Sequence, residues 1–119
     1  MLSAHRLVGY GLRTVALALA CALPAHAGDA AKGQDLYSSR CMFCHGAAGK
    51  GDGPAGAALK PPPTNFTSAD YWKTAKLETM KEVIVNGKPG TAMVAFKSSV
   101  SPEQIDDLVA YLQTFQPVQ

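Results

Sequence analysis

Cys41-Met42-Phe43-Cys44-His45 decides how the rest of this sequence is read. Two thiols stand three positions apart, and an imidazole follows the second at once. That spacing suits covalent attachment of a c-type haem, with both thiols bonded to one edge of the porphyrin and the histidine carried to the iron. A bare Cys-x-x-Cys pair could also be half a zinc site or a redox dithiol. A structural zinc site needs four ligands, and beyond residue 27 the chain offers only Cys41, Cys44 and His45. A redox dithiol is expected beside a βαβ unit, and no period-two strand pattern occurs in the chain.

The chain of 119 residues fits one small domain, and not all of it reads as mature protein. Residues 1–27 have the order of a secretory signal: His5, Arg6 and Arg13, then the apolar run Val15–Leu23, then Pro24, then Ala25-His26-Ala27 as a cleavage site before Gly28. The apolar run falls short of the roughly 20 residues that span a bilayer. The expectation is therefore a cleaved signal over 1–27, a domain over 28–119, and a periplasmic location. Ala18-Leu19-Ala20-Cys21 has a small residue where a lipoprotein box wants a large aliphatic one, so Cys21 is read as no lipid anchor. Arg6 and Arg13 go with the signal, which leaves nine basic and nine acidic residues. A neutral domain is not built to bind nucleic acid. So short a chain, with eight prolines and eleven glycines, has a thin core and needs a staple or a cofactor to fold around.

Helices are expected on either side of irregular loops. Asp29 caps a helix to Ser39 whose face holds Ala30, Gly33, Leu36 and Tyr37. Gly33 costs stability inside a helix, and close approach by another helix would explain it. Residues 46–63 form a long Gly/Pro loop lying along the haem edge, followed by Phe66 as a wall residue. Short helices are expected at Ser68–Trp72 and Thr74–Val85, the second ended by Asn86-Gly87. Ser101, Pro102 and Gln104 announce a last helix, with Ile105, Leu108, Val109 and Leu112 on one face.

His45 is the expected proximal ligand, its other nitrogen donating to a carbonyl of Pro54 or Pro61–Pro63. No second histidine remains in the mature chain, so the sixth position falls to a methionine or stays open. Met42 is trapped between the anchoring cysteines. Met80 has the helical spacing of a core residue. Met93 lies on a glycine-rich loop and is the candidate distal ligand. Lys50, Lys60, Lys88 and Lys97 read first as solvated loop residues and second as a basic docking rim.

These motifs together resemble the small class I c-type cytochromes, particularly bacterial periplasmic single-haem ones, over residues 29–115. Cys41-x-x-Cys44-His45-Gly46, the loops Gly49–Pro54, Lys60–Pro63 and Gly87–Thr91, and the pairing of Gly33 and Tyr37 with Tyr111 and Leu112 carry the likeness. Val94 stands where the family usually has proline. The resemblance implies an all-α fold of three to five helices around one covalent haem c, with Met93 at the distal position. It implies Tyr71 or Trp72 as a propionate donor, plain packing being the alternative for either. It also implies a non-enzymatic electron carrier that is a monomer or makes transient complexes with redox partner proteins, donor and acceptor unspecified. The alternatives are a cytochrome subunit bound to an oxidoreductase, or a haem protein with an open sixth site.

Overall fold

A helix crossing between the two ends of the domain organises the structure, a computed structural model that describes residues 22 and 26–118. Most of the expected signal, Cys21 included, lies outside the described residues. Five helices are present among the described residues, and no strand: α1 (Ala30–Arg40), α2 (Met42–His45), α3 (Ala69–Thr74), α4 (Leu77–Asn86) and α5 (Pro102–Gln113).

The caps set where the two long helices begin. The Asp29 carboxylate accepts from the Ala31 and Lys32 N–H groups at 3.0 and 3.3 Å and starts α1. In α5 both halves of the capping box form: Ser101 Oγ accepts from Gln104 N at 3.2 Å, and Gln104 Oε1 accepts from Ser101 N at 2.9 Å. The expected face of α5 is buried, with Ile105, Leu108, Val109 and Leu112 all in the core. Burial of each such side chain contributes about 1.5–3 kcal/mol. α1 and α5 meet at Gly33, where an added Cβ would run into the Asp107 carbonyl and the Tyr111 Cβ. The helix penalty of that glycine is thus the cost of close approach.

α4 packs on α5 from the other side, through Met80 and Ile84 and an ion pair of Lys81 with Asp106 at 2.9 Å. Its start differs from the expectation at Thr74. Thr74 ends α3, and Ala75 and Lys76 are extended before α4 begins at Leu77. Ser68 caps α3 through Tyr71 N, whereas no side chain caps α4, so its start carries no local signal. Gly87, with φ of 72°, ends α4 as expected.

Candidate functional site

α1 delivers the chain into the Cys-x-x-Cys-His stretch, which folds as the single turn α2. Loop amides hold that turn from outside. The carbonyls of Phe43, Cys44 and His45 accept from Ala55, Gly53 and Gly51 at 3.0, 3.1 and 2.7 Å. Gly46 O accepts twice, from Gly49 N at 3.1 Å and from the Tyr37 hydroxyl at 2.6 Å. Tyr37 is 1 % exposed, and burial pushes its phenol well above the ordinary value, so it stays a neutral donor. The long Gly/Pro loop is therefore an ordered brace for the motif.

Beneath this turn lies a cavity of about 600 Å³. Cys41, Cys44 and His45 line one side. Pro61–Pro63, Thr64, Phe66 and Tyr71 close an edge, α4 contributes Met80, Val83 and Ile84, and the loop after α4 contributes Thr91–Val94 and Phe96. Cys41, Cys44, His45, Tyr71 and Met93 are thus brought together from separate parts of the sequence. Trp72 is not. Its indole N–H donates to the Phe66 carbonyl at 2.6 Å, and the residue does not line the cavity. An indole has one donor, and Phe66 takes it here, so this geometry favours the packing alternative for Trp72, and Tyr71 alone of the pair lines the cavity.

His45 Nδ1 donates to a carbonyl at 3.3 Å, but the acceptor is Thr64, not a proline. The Pro63 carbonyl oxygen lies closest to Gly51, and that of Thr64 is the one within hydrogen-bond reach of the imidazole. Since a carbonyl only accepts, Nδ1 carries a proton, and in the neutral ring Nε2 then keeps its lone pair. Burial holds His45 below the ordinary imidazole value, and the Thr64 contact works the other way without overcoming it. The ring stacks on Phe66, centroids 5.0 Å apart and planes at 26°, so Phe66 is the wall residue expected. Burial also pushes the Cys41 thiol up to about 11, against the lowering effect of Arg40 and with the raising effect of Cys44. Such apolar surroundings suit a neutral thioether better than a thiolate.

Met93 sits half-buried on a loop that braces itself. Thr91 Oγ1 donates to Lys88 O at 2.7 Å and accepts from Met93 N at 3.2 Å, while Lys88 N donates to Met93 O at 3.1 Å. The sequence marks Thr91 only as the end of the Gly87–Thr91 loop, because a threonine between glycine and alanine signals no bracing role without these partners. Tyr37 reads as a helix-face residue and a member of the pairing with Tyr111 and Leu112, and nothing along the chain signals its bond to Gly46 O. Met80, read as core, is 7 % exposed and lines the cavity as well. The cavity's charged lining is Arg40, Lys76 and Lys88. Lys88 is the one member of the expected basic rim among them.

An apolar slot with two thiols on one wall, a neutral imidazole, thioether sulfurs from other elements and cationic side chains in its lining fits an iron porphyrin bearing two carboxylates. A metal ion held by protein side chains alone has no such set, because no group of three or more His, Cys, Asp or Glu residues gathers among the described residues.

Comparison with known proteins agrees with that donor set. The family model described as Cytochrome c matches residues 30–116. A cytochrome c6 of Gloeothece citriformis is 35 % identical over 89 residues, covering 75 % of this chain and 74 % of the relative. The dihydro-heme d1 dehydrogenase of Pseudomonas aeruginosa is 36 % identical over 108 residues, covering 89 % of this chain but only 20 % of that larger protein. Among solved structures, the KustC0563 c-type cytochrome superposes with a TM-score of 0.60 at 29 % identity, over 71 % of this chain and 98 % of that one.

Proposed function

The chain belongs to the cytochrome c family, and on that premise we propose that it is a periplasmic single-electron carrier with one haem c bound between His45 and Met93. Haem c is the family's covalent cofactor, and Cys41–His45 is the attachment motif. When bound, the haem supplies an iron that passes between ferric and ferrous states.

The chain's own residues supply the rest. Cys41 and Cys44 anchor the ring by thioethers. His45 presents Nε2, with its orientation held by Thr64 and Phe66. Tyr71 is the candidate propionate donor, and Arg40, Lys76 and Lys88 offset the carboxylate charge. Met93 would supply the second protein ligand to the iron, which would exclude exogenous ligands and suit a carrier rather than a catalyst. Methionine opposite histidine favours the ferrous state. Among the described residues no helix is long and apolar enough to cross a membrane. Redox partners dock transiently in this reading, through a small contact. The single observation that carries the proposal is the convergence of both cysteines, an oriented His45 and a loop-borne Met93 on one cavity.

Absorption spectra of the purified protein, oxidised and reduced, test it directly. The expected result is a low-spin haem c with a methionine-to-iron band in the ferric form and no carbon monoxide binding in the ferrous form. A high-spin spectrum with ready carbon monoxide binding would point to an open site. Co-purification at fixed stoichiometry with an oxidoreductase would favour a resident subunit.

The self-braced loop yields a graded prediction. Thr91→Val removes two hydrogen bonds worth about 1–2 kcal/mol together. The population with Met93 off the iron should rise roughly 5–30-fold, read as faster carbon monoxide binding to the ferrous protein. An unchanged rate would mean that Thr91 does not hold the methionine loop.

A further inference from the structure

The one carboxylate buried in the core among the described residues is Asp107, 4 % exposed on α5 and outside the lining of the haem cavity. A buried charge is costly unless paired and hydrogen-bonded. Two donors reach it. Asp29 N–H donates to Oδ1 at 2.6 Å, and His26 Nε2 lies 2.8 Å from the same oxygen. Burial acts to raise the carboxyl, but the Asp29 amide, His26 and the nearby Lys32 together hold it below the ordinary carboxylate range. The other charged groups around it are committed elsewhere. The Asp29 carboxylate caps α1, and the neighbouring Asp106 is paired with Lys81 of α4.

His26 lies on the leader side of the expected cleavage point. Export of the chain, on which this inference rests, would remove the imidazole from a buried carboxylate and at the same moment create a cation beside it. Backbone bond lengths put the Gly28 nitrogen no more than about 3.7 Å from the Asp29 nitrogen, which itself donates to Asp107. Gly28 is also seated against α5. An added Cβ there would strike the Asp106 carbonyl and crowd Ala110. Once residue 27 is gone, the terminal nitrogen can rotate about the Gly28 Cα with no chain behind it.

We propose that Asp107 is the receptor for the processed chain's own α-ammonium group on Gly28. Signal cleavage then replaces a side chain that is charged only when protonated with an ammonium that carries three donors. The exported protein, and not its precursor, completes the clasp between the start of α1 and the middle of α5. That clasp lies beside the Gly33 crossing, which aligns α1 and so the attachment motif that follows it. A carboxylate partner raises the folded-state pKa of an amine. The clasp's contribution is therefore full where Asp107 is ionised and the pH lies below the ordinary α-amino value, about 7.7–8.0, and is lost as pH rises through the raised folded value.

The test uses the haem-loaded protein purified after export. Mass spectrometry of its first residue comes first. Gly28 is expected, and any other start overturns the cleavage reading and the receptor with it. The α-amine is then titrated by NMR. Its pKa is expected about one unit above the ordinary value in the wild type and at the ordinary value in Asp107→Asn. Selective acetylation of the terminus should lower the melting temperature of the wild type and leave that of Asp107→Asn unmoved. Should Asp107→Asn fail to accumulate, an alanine inserted before Gly28, with Asp107 intact, should bring the amine to its ordinary value. An ordinary α-amino pKa in the wild type with Gly28 as first residue would overturn the receptor and leave the cleavage reading standing.

Discussion

Met93→Ala is expected to abolish the methionine-to-iron band, open the ferrous haem to carbon monoxide and lower the midpoint potential by on the order of 0.1 V, within the ~0.8 V range that axial ligation spans. Two thioethers line the cavity, so what holds each of them decides which can reach the iron. Met80 stands on α4 beside Ile84, both buried in the core that α5 completes, and leaving that packing would open a void. Met93 is carried by a loop with no helical commitment, steadied by Thr91 and Lys88. Met80→Leu, close to volume-conserving, should therefore keep the band and cost less than about 1.5 kcal/mol. Loss of the band in Met80→Leu with its retention in Met93→Ala would reverse the assignment.

The second large effect is expected far from the cavity. Gly33→Val should destabilise the protein by about 4 kcal/mol, at the upper end of single substitutions. In an open helix, replacing glycine gains up to about 1 kcal/mol for alanine. At Gly33 even one added carbon meets the Asp107 carbonyl, which is backbone and cannot turn aside, and the second obstacle is the Tyr111 Cβ. α1 and α5 must then separate, which uncovers Tyr37 and loosens its bond to Gly46 O. Guanidinium unfolding of Gly33→Ala and Gly33→Val, followed through the haem spectrum, checks this. If Gly33→Ala is as stable as the wild type or more so, close approach is not the reason for the glycine.

Legibility tracked how local each signal was. The start of α5 was readable because Ser101, Pro102 and Gln104 act on backbone groups within one turn of themselves. The attachment motif was readable because its chemistry depends on spacing along the chain alone. The acceptor for His45 was missed by one residue, since which of two neighbouring carbonyls faces a ring depends on how the extended segment is turned. Trp72 looked like a cavity donor from its residue type, yet a carbonyl six residues back, that of Phe66, takes its N–H. The start of α4 was placed too early because no capping side chain marks it, and the break at Ala75 and Lys76 comes from the turn between two packed helices.

By itself, then, the sequence determined the cofactor chemistry and the helical class: thiol spacing, helical periodicity and caps are properties of near neighbours on the chain, whereas the pairing of the end helices came only with the family resemblance. The tertiary structure alone decided that Tyr37 braces Gly46, that Thr64 orients His45, that Thr91 steadies Met93 and that Asp107 meets the start of α1. Except for the short Thr91 turn, these contacts join residues 9 to 78 positions apart. Hydrogen bonds over such separations are set by where packed helices and turned loops bring donors and acceptors, and no pattern along the chain encodes that directly.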